Sequence, residues 1–553
     1  MLKERQTSVR SWLASGEPWV WANAAAVGIS VVAVAGLLLL IAIRGLAHFW
    51  PAEVRLINFT DQFGQAQVAM GELADMESLT PQRYAEVFGS SDPQTEIVQR
   101  WLLKTGNRRY SPPDFQWLFE RDVSSIEYPE HAVVLERMEW GNAYGFLVSV
   151  YDGDRQVTSG DLWAAFQQRL ERARDIRLQI EELEQGTLNR INYQLERLRL
   201  ERRSLEFAGE SASHLAPEEA DLNADYLVSE SQLRDLYTSL QRDNIELRLA
   251  SGRVVTTNLA EVVRAWRPNR MSLADKLGHY MSSIWLFLSE QPREANTEGG
   301  IFPAIFGTVM MVLLMSVLVT PFGVIAAIYL REYAHQGPFV RLIRIAVNNL
   351  AGVPSIVYGV FGLGFFVYFI GGNLDQLFFP EALPAPTFGT PGLLWASLTL
   401  ALLTVPVVVV STEEGLTRIP RAIREGSLAL GATKAETLFR VILPMASPSI
   451  LTGVILAVAR AAGEVAPLML VGVVKLAPTL PVDGNFPFVH LERKFMHLGF
   501  HIYDVGFQSP NVDAARPLVY ATALLLVLII VVLNLTAIML RNRLENRYRG
   551  VES

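Results

Sequence analysis

The sequence predicts an all-α polytopic membrane protein of six transmembrane helices, with a large mixed α/β and helical insertion between the first and second. Three observations predict it. Half of the 553 residues are hydrophobic and the mean hydropathy is +0.23, too apolar for a soluble protein of ordinary composition. Six stretches, 22–43, 303–330, 350–370, 393–410, 450–474 and 518–540, each approach the ~20 residues that span a ~30 Å hydrocarbon core. Between the first two lies a long polar segment: residues 44–301 hold 28 Lys plus Arg against 40 Asp plus Glu, about −12, leaving about +4 elsewhere for a total of −8.

The first stretch follows Lys3, Arg5 and Arg10 and ends in AIRGLAHFW, which has no small-residue cleavage site. It reads as an uncleaved anchor, not a signal peptide. Orientation follows from short basic loops: Arg331, Arg341 and Arg344; then Arg418, Arg421, Arg424, Lys434 and Arg440; then the tail Arg541, Arg543, Arg547 and Arg549. Loop 371–390 has no Lys or Arg. The positive-inside rule puts both termini in the cytoplasm and the insert outside. Loop 475–517, which carries Lys475, Arg493, Lys494 and Arg516, is placed outside by span parity alone.

The domain division is therefore 1–45 for the N-terminus and first helix, 46–296 for the insertion, 297–545 for the membrane core and 546–553 for a cytoplasmic tail. Within the insertion, AVVLERMEW and GFLVSVYDG flank the turn-forming GNAY and predict a strand pair. The period then changes. From Leu162 through Phe166, Leu170, Ala173, Ile176, Ile180, Leu183, Ile191 and Leu195 to Leu198, apolar residues recur at steps of three or four with a gap at Thr187. This predicts a helix of about 45 residues, on the order of 65 Å long. A shorter run, Leu233, Leu236, Leu240 and Leu247, follows the acidic LAPEEADLNADY, read as a loop. The economical arrangement is a coiled-coil-like antiparallel hairpin over 161–250, each arm covering the other's stripe. RMSLADKLGHYMSSIWLFLSEQ then reads as an interfacial amphipathic helix before the second span.

Composition excludes several functions. Cysteine is absent, which removes thiol catalysis and thiolate metal sites. An acidic insert without a basic cluster argues against nucleic acid. His490, His497 and His501 lack an accompanying carboxylate-rich motif, so no metal site is assigned, and no Ser, His, Asp constellation stands out. No G-x-x-x-x-G-K-[ST] occurs, so the chain has no phosphate-cradling loop and binds no ATP of its own.

Between the fourth and fifth spans, EGSLALGATKAETLFRVILPMASPSI reads as a short helix 422–430, a hinge at Gly431, and a second helix 434–442 stopped by Pro444. Glu425, Gly431, Val441, Leu443 and Pro444 stand at the spacing of the Glu-Ala-Ala, three residues, Gly, nine residues, Ile-x-Leu-Pro signature of importer permeases of the ATP-binding-cassette class, with Gly426 and Ser427 in place of the alanines. NTEGGIFPAIFGT, GVPSIVYG, RAIREGSLALGATK and ARAAGEVAPLM together resemble the PstA-type permeases of phosphate-specific importers. The resemblance covers the first span and nearly everything from Thr297 onward; it omits roughly 55–290. It implies a type I importer permease core that is not itself an enzyme, a bacterial inner-membrane location, and a coupling loop over 419–444. In that loop Glu425, Leu428, Leu430, Gly431, Leu443 and Pro444 would meet the ATPase. It also implies the partners: a sister permease, two copies of an ATPase that uses the ATP, a periplasmic phosphate-binding protein, inorganic phosphate and membrane lipid.

The fifth stretch contains Arg460, 11 residues beyond Ser449, which is about 16 Å into the bilayer if Ser449 marks the cytoplasmic end. Glu464 lies one turn further on the same face. A charge at that depth costs about 2.5–3.5 kcal/mol on insertion scales and so needs a partner and a polar surrounding. The pair reads either as a structural i,i+4 ion pair or as a substrate element, because a guanidinium suits the oxygens of an anion. Pro467 is expected to kink the span. Ser355, at the start of the third, is a weaker anion donor that ordinary helix capping would also explain. A permease for sulfate or molybdate, or a membrane-anchored signalling scaffold working through its insert, would carry the same features.

Overall fold

A computed structural model describes residues 15–549 apart from 62, 89–96, 112, 159, 510 and 511. Lys3, Arg5 and Arg10 lie outside the described residues, as do the last four. Among the described residues six helices are long and apolar enough to cross a membrane: Pro18–Ala47, Phe302–Tyr333, Ser355–Phe378, Leu393–Arg418, Lys434–Gly463 and Ala515–Arg543. They are called spans one to six.

Span four is the centre of the bundle. Its Leu400, Leu403 and Val408 are wholly buried, against Met311, Met315 and Val319 of span two and Ala457 and Ala461 of span five. Small residues of span five let it approach span four closely, and Ser397 and Thr404 of span four bond the Met311 carbonyl and the Met315 sulfur of span two. Span six packs along span five and span one.

Three span boundaries differ from expectation, each because of proline or glycine. Span three begins at Ser355, not 350. The residues before it form a separate amphipathic helix, Pro338–Leu350, where a basic loop was expected. Gly352 and Pro354 separate the two, since a proline has no N–H to donate and keeps the residue before it out of helical geometry. Span five runs Lys434–Gly463, so it starts well before 450 and ends well before 474. Pro444 does not stop it: a π-helical turn, Leu438–Ile442, absorbs the disturbance and Pro444 enters the first turn of Leu443–Gly463. Pro467 lies beyond the span's end, so it does not kink it.

Among the described residues the insert is built on two large antiparallel sheets, with a two-stranded ribbon, Pro292–Arg293 against Glu298–Gly299, leading into span two. In the first the order is β4-β3-β2-β1-β5, from β1 (Val54–Thr60), β2 (Ala66–Leu79), β3 (Val98–Lys104), β4 (Phe115–Phe119) and β5 (Val123–Glu127). In the second it is β10-β9-β7-β6-β11, from β6 (Ala132–Arg137), β7 (Ala143–Asp152), β9 (Asn244–Arg248), β10 (Val254–Asn258) and β11 (Val262–Trp266), with β8 (Arg155–Gln156) beside β7. The predicted strand pair is β6–β7, turned at Trp140 and Gly141, both at positive φ.

The long helix is α1 (Leu162–Glu182) continued by a π-helical turn, Leu183–Leu188, into α2 (Asn189–Ala208). The gap in the apolar pattern at Thr187 falls inside that turn, where an extra residue per turn shifts the face. The acidic segment read as a loop is helical. It opens α3 (Ala216–Leu240), with Pro217 in the first turn and Glu218 and Glu219 complementing the helix dipole. Leu247 belongs to β9, not to the second arm. The arms are tied by Tyr237 to Glu184 at 2.8 Å and by an Arg202–Glu219 ion pair. The last insert helix is α4 (Leu273–Ser289), opened by a capping box of Ser272 and Asp275.

Candidate functional site

Two membrane helices of the bundle are bordered by interruptions. The first is 351–354, between Pro338–Leu350 and span three. The second follows Gly463, where the chain leaves helical geometry until the short helix Leu468–Val471. Gly359, one turn into span three, lets the second interruption pass close against that span, because a Cβ there would stand 2.7 Å from the Pro467 Cα. Tyr358, buried beside it, donates its hydroxyl to the Leu350 carbonyl at 2.7 Å and so ties span three back across the first interruption.

Arg460 stands at this junction, three residues before span five ends, and lies within electrostatic reach of Tyr358. Glu464 is the helix's C-terminal cap in extended geometry (φ −82°, ψ 129°), not a further turn of the same face. The pair nevertheless forms, with Arg460 Nε 3.7 Å from Glu464 Oε1. Both side chains stay partly open, at 32% and 21% exposure, so the guanidinium has donors left for a ligand. Ser355 opens span three at the same interruption; among the described residues it makes no hydrogen bond to Arg460 or Glu464. A guanidinium at a helix interruption, with backbone amides freed nearby, is suited to holding an oxyanion.

The second site is at the other end of span five. The helix Arg421–Ala429 buries none of its residues, and Glu425 is exposed. Leu428 is 47% and Leu430 91% exposed. Gly431 follows at φ +88°, in the left-handed region where a side chain is strained, and Thr433 and Glu436 then form a capping box that starts Lys434–Thr437. The segment is fastened to the end of span two. Arg424 reaches Glu332 at 2.9 Å and the Leu416 carbonyl at 2.7 Å, while Lys434 donates to the Glu332 carbonyl at 2.6 Å and lies over the Tyr333 ring. Of the six predicted coupling residues, Glu425, Leu428, Leu430 and Gly431 form this open surface. Leu443 and Pro444 are half-buried at the start of Leu443–Gly463, with Leu443 packed on the apolar cluster that holds Ile328, Leu416 and Leu438.

Sequence reasoning missed an ion pair, Arg344 Nε to Glu413 Oε1 at 2.7 Å, which lines a cavity of about 560 Å³ with Asn348 and Arg418. It also missed Asp375, fully buried, which accepts from the amides of Phe388 and Gly389. His490 bonds Asp483 and Glu492, and His497 caps the helix Leu498–Tyr503. Among the described residues no group of three metal-ligating side chains forms.

Residues 319–550 match the family model described as the binding-protein-dependent transport system inner membrane component. A phosphate transport system permease protein PstA 1 of Mycobacterium tuberculosis is 34% identical over 244 residues, 44% of this chain and 71% of that protein. PstA of Yersinia pestis is 32% identical over 256 residues, 46% and 77% of the two chains. The chain belongs to the PstA-type family of binding-protein-dependent permeases. PstA of Mycobacterium leprae is 38% identical, but the chain spans only 56% of its length. Among solved structures, the inward-facing MetNI methionine ABC transporter aligns at 17% identity with a TM-score of 0.32, over 48% of this chain and 98% of that one. The family match begins within span two, runs through span six and lies wholly outside the insert.

Proposed function

We propose that this chain is the permease subunit of an ATP-driven inorganic phosphate importer and forms the anion's path together with a sister permease. The observation that carries this reading is Arg460, held by Glu464 and open beside the interruption that follows span five, where that interruption packs on span three of a PstA-type core. Phosphate would be held by the free guanidinium donors and by Ser355, with Glu464 orienting Arg460 and limiting how tightly the anion is trapped. The relatives' shared name supplies the choice of phosphate over sulfate or molybdate.

The ATP is used by a separate ATPase, of which two copies would dock on the surface of Glu425, Leu428, Leu430 and Gly431. The basic ends of the spans support a topology with both termini in the cytoplasm and the insert in the periplasm, on the side where a phosphate-binding protein delivers its cargo. Helix α2 supports an accessory role for the insert in that docking. Its Tyr193 bonds the Phe486 carbonyl and packs edge-on to His490, on a loop of the core at the insert end. The hairpin thus rests on the core instead of projecting from it.

The deciding experiment reconstitutes the purified complex and measures ATP hydrolysis stimulated by loaded binding protein with phosphate, sulfate or molybdate. Stimulation by phosphate alone supports the reading. Stronger stimulation by another oxyanion reassigns the substrate, and consistent absence of a co-purifying ATPase would leave the scaffold reading in its place.

A further inference from the structure

Two features at the root of the insert play no part in transport as described above. Helix α4 joins the insert to span two and packs through Phe287 onto Phe49, two residues past the end of span one. It also presents Leu273, Leu277, Met281 and Trp285 to the exterior, 79, 53, 53 and 68% exposed. Residues four apart share a helix face, so the four make one apolar stripe, on a helix anchored to two membrane-spanning helices. Span one is itself unburied by the rest of the chain along its apolar length, and α4 packs at its end through Phe49.

Beside the stripe, Ala274, Gly278 and Ser282 of α4 wall a cleft of about 760 Å³, closed on its far side by α1 and β11. Four arginines line it: Arg174, Arg264, Arg267 and Arg270. Glu136 pairs with Arg264 at 2.6 Å. Arg267 lies over the Trp163 ring at 4.3 Å, and burial together with the Arg270 charge holds its guanidinium below the usual range. Among the described residues Arg174, Arg267 and Arg270 make no salt bridge, although Asp161 and Glu290 act on Arg267 and Arg174 from further away. The acidic lining residues are Glu171 and Asp275, and Asp275 is engaged in the Ser272 cap. An insert of net charge about −12 thus gathers unpaired positive charge at one edge, next to its one long apolar stripe.

We propose that α4 and this cleft bind an anionic phospholipid, the arginines taking its headgroup phosphate and the stripe lying among acyl chains. Guanidinium donors match phosphate oxygens, and an amphipathic helix bearing Leu, Met and Trp on one face and cations beside it is suited to the membrane interface. The cleft alone would equally suit free phosphate; the adjoining stripe assigns a lipid.

The test uses the full chain in its complex, in vesicles of phosphatidylcholine with or without phosphatidylglycerol. Lipid retained after detergent extraction is measured by native mass spectrometry, and quenching of Trp285 by brominated acyl chains is read against the Trp285→Phe background. Phosphatidylglycerol should be retained preferentially. Arg267→Gln with Arg270→Gln should cut its retention roughly 25-fold, at about five-fold per charge, and Arg267→Lys with Arg270→Lys should keep most of it. Leu277→Gln with Met281→Gln should abolish quenching while leaving the arginines in place. The proposal is overturned if the Gln pair retains as much phosphatidylglycerol as the parent, or if the Lys pair retains no more than the Gln pair. It is overturned equally if Trp285 is not quenched in the parent, or if millimolar inorganic phosphate displaces the lipid without phosphatidylglycerol preference, which would mark a free-phosphate site.

Discussion

Gly431 offers the sharpest separation between a hinge needed for coupling and one that merely joins two helices. Its φ of +88° lies in the left-handed region, and nothing stands within 4 Å of where a Cβ would be. Gly431→Ala therefore introduces no clash; its whole cost is the backbone penalty of about 1–2 kcal/mol for an L-residue in that region. That corresponds to roughly a 5- to 30-fold loss of the conformation that presents Leu430. Gly426 is the internal control: it is helical, is likewise free of neighbours within 4 Å, and has an ordinary φ. Gly426→Ala should be neutral or stabilising by about 0.5–1 kcal/mol. The measurement is affinity of the purified ATPase subunit for nanodisc-embedded permease, with phosphate-stimulated hydrolysis alongside. Gly431→Ala should weaken association about 5- to 30-fold with insertion unchanged, and Gly426→Ala should not. Equal affinities for the two variants would refute the argument that this backbone geometry positions the docking surface.

Arg460→Gln with Glu464→Gln should assemble normally yet fail to transport, because no buried charge is left unpaired; full phosphate uptake by this double variant would reduce the pair to a structural ion pair. Replacing 187–232 by a short glycine-rich turn removes the tip of the hairpin but spares β9, and should leave anion selectivity intact while changing the dependence on binding-protein concentration. Loss of selectivity in an intact complex would place the hairpin in the pathway. Glu413→Gln leaves Arg344 without its carboxylate beside a partly open cavity and should cost about 1–3 kcal/mol of thermal stability, which scanning calorimetry in detergent would detect. Burial pushes the Glu298 carboxyl up to about 7, with Glu136 and Glu294 adding to the rise and Lys104 opposing it. The folded state then holds a proton that the unfolded state has released between pH ~4.5 and 7, so stability falls as pH rises through that window, by at most about 3 kcal/mol. Glu298→Gln should flatten the melting temperature between pH 5 and 8, and an unchanged slope would disprove the assignment.

What the sequence made legible were features with a local signature. Continuous hydropathy marked all six spans, the three- and four-residue steps marked α1 and α2, and the run from Glu425 through Gly431 marked an exposed helix followed by a hinge. What it hid were consequences of contact between distant residues. Arg344 and Glu413 are 69 positions apart, and neither sits in a pattern that names the other. Strands β1 to β5 alternate only partly, since their sheet buries one face unevenly, so they did not register as a sheet. Pro444 was read as a stop because a proline interrupts an α-helix; the π-turn that accommodates it has no sequence signal of its own.

The physical link between the two sites lies in span two. The exposed helix Arg421–Ala429 is held by Arg424 to Glu332 at the end of that span, and Lys434, at the start of span five, bonds the Glu332 carbonyl and lies over the Tyr333 ring. Span two packs its Met311, Met315 and Val319 against span four, which also contacts span five beneath Arg460. If the ATPase docks as proposed, a displacement of Arg421–Ala429 would act on span two through the charge-assisted Arg424–Glu332 hydrogen bond, with the Lys434–Tyr333 cation–π contact tying the start of span five to the same place. Close-packed apolar helices transmit such a push as rigid bodies, whereas the interruptions at 351–354 and 464–467 are where the backbone can change direction without breaking a helical ladder. Arg460 stands at the point where the stiff part of span five gives way to the second interruption. Arg424→Ala should then uncouple ATP hydrolysis from uptake while leaving the binding of the ATPase, which we propose rests on Leu428 and Leu430, largely in place. If that variant loses ATPase affinity and coupling in equal proportion, the anchor belongs to the docking surface and force does not reach span two by this route.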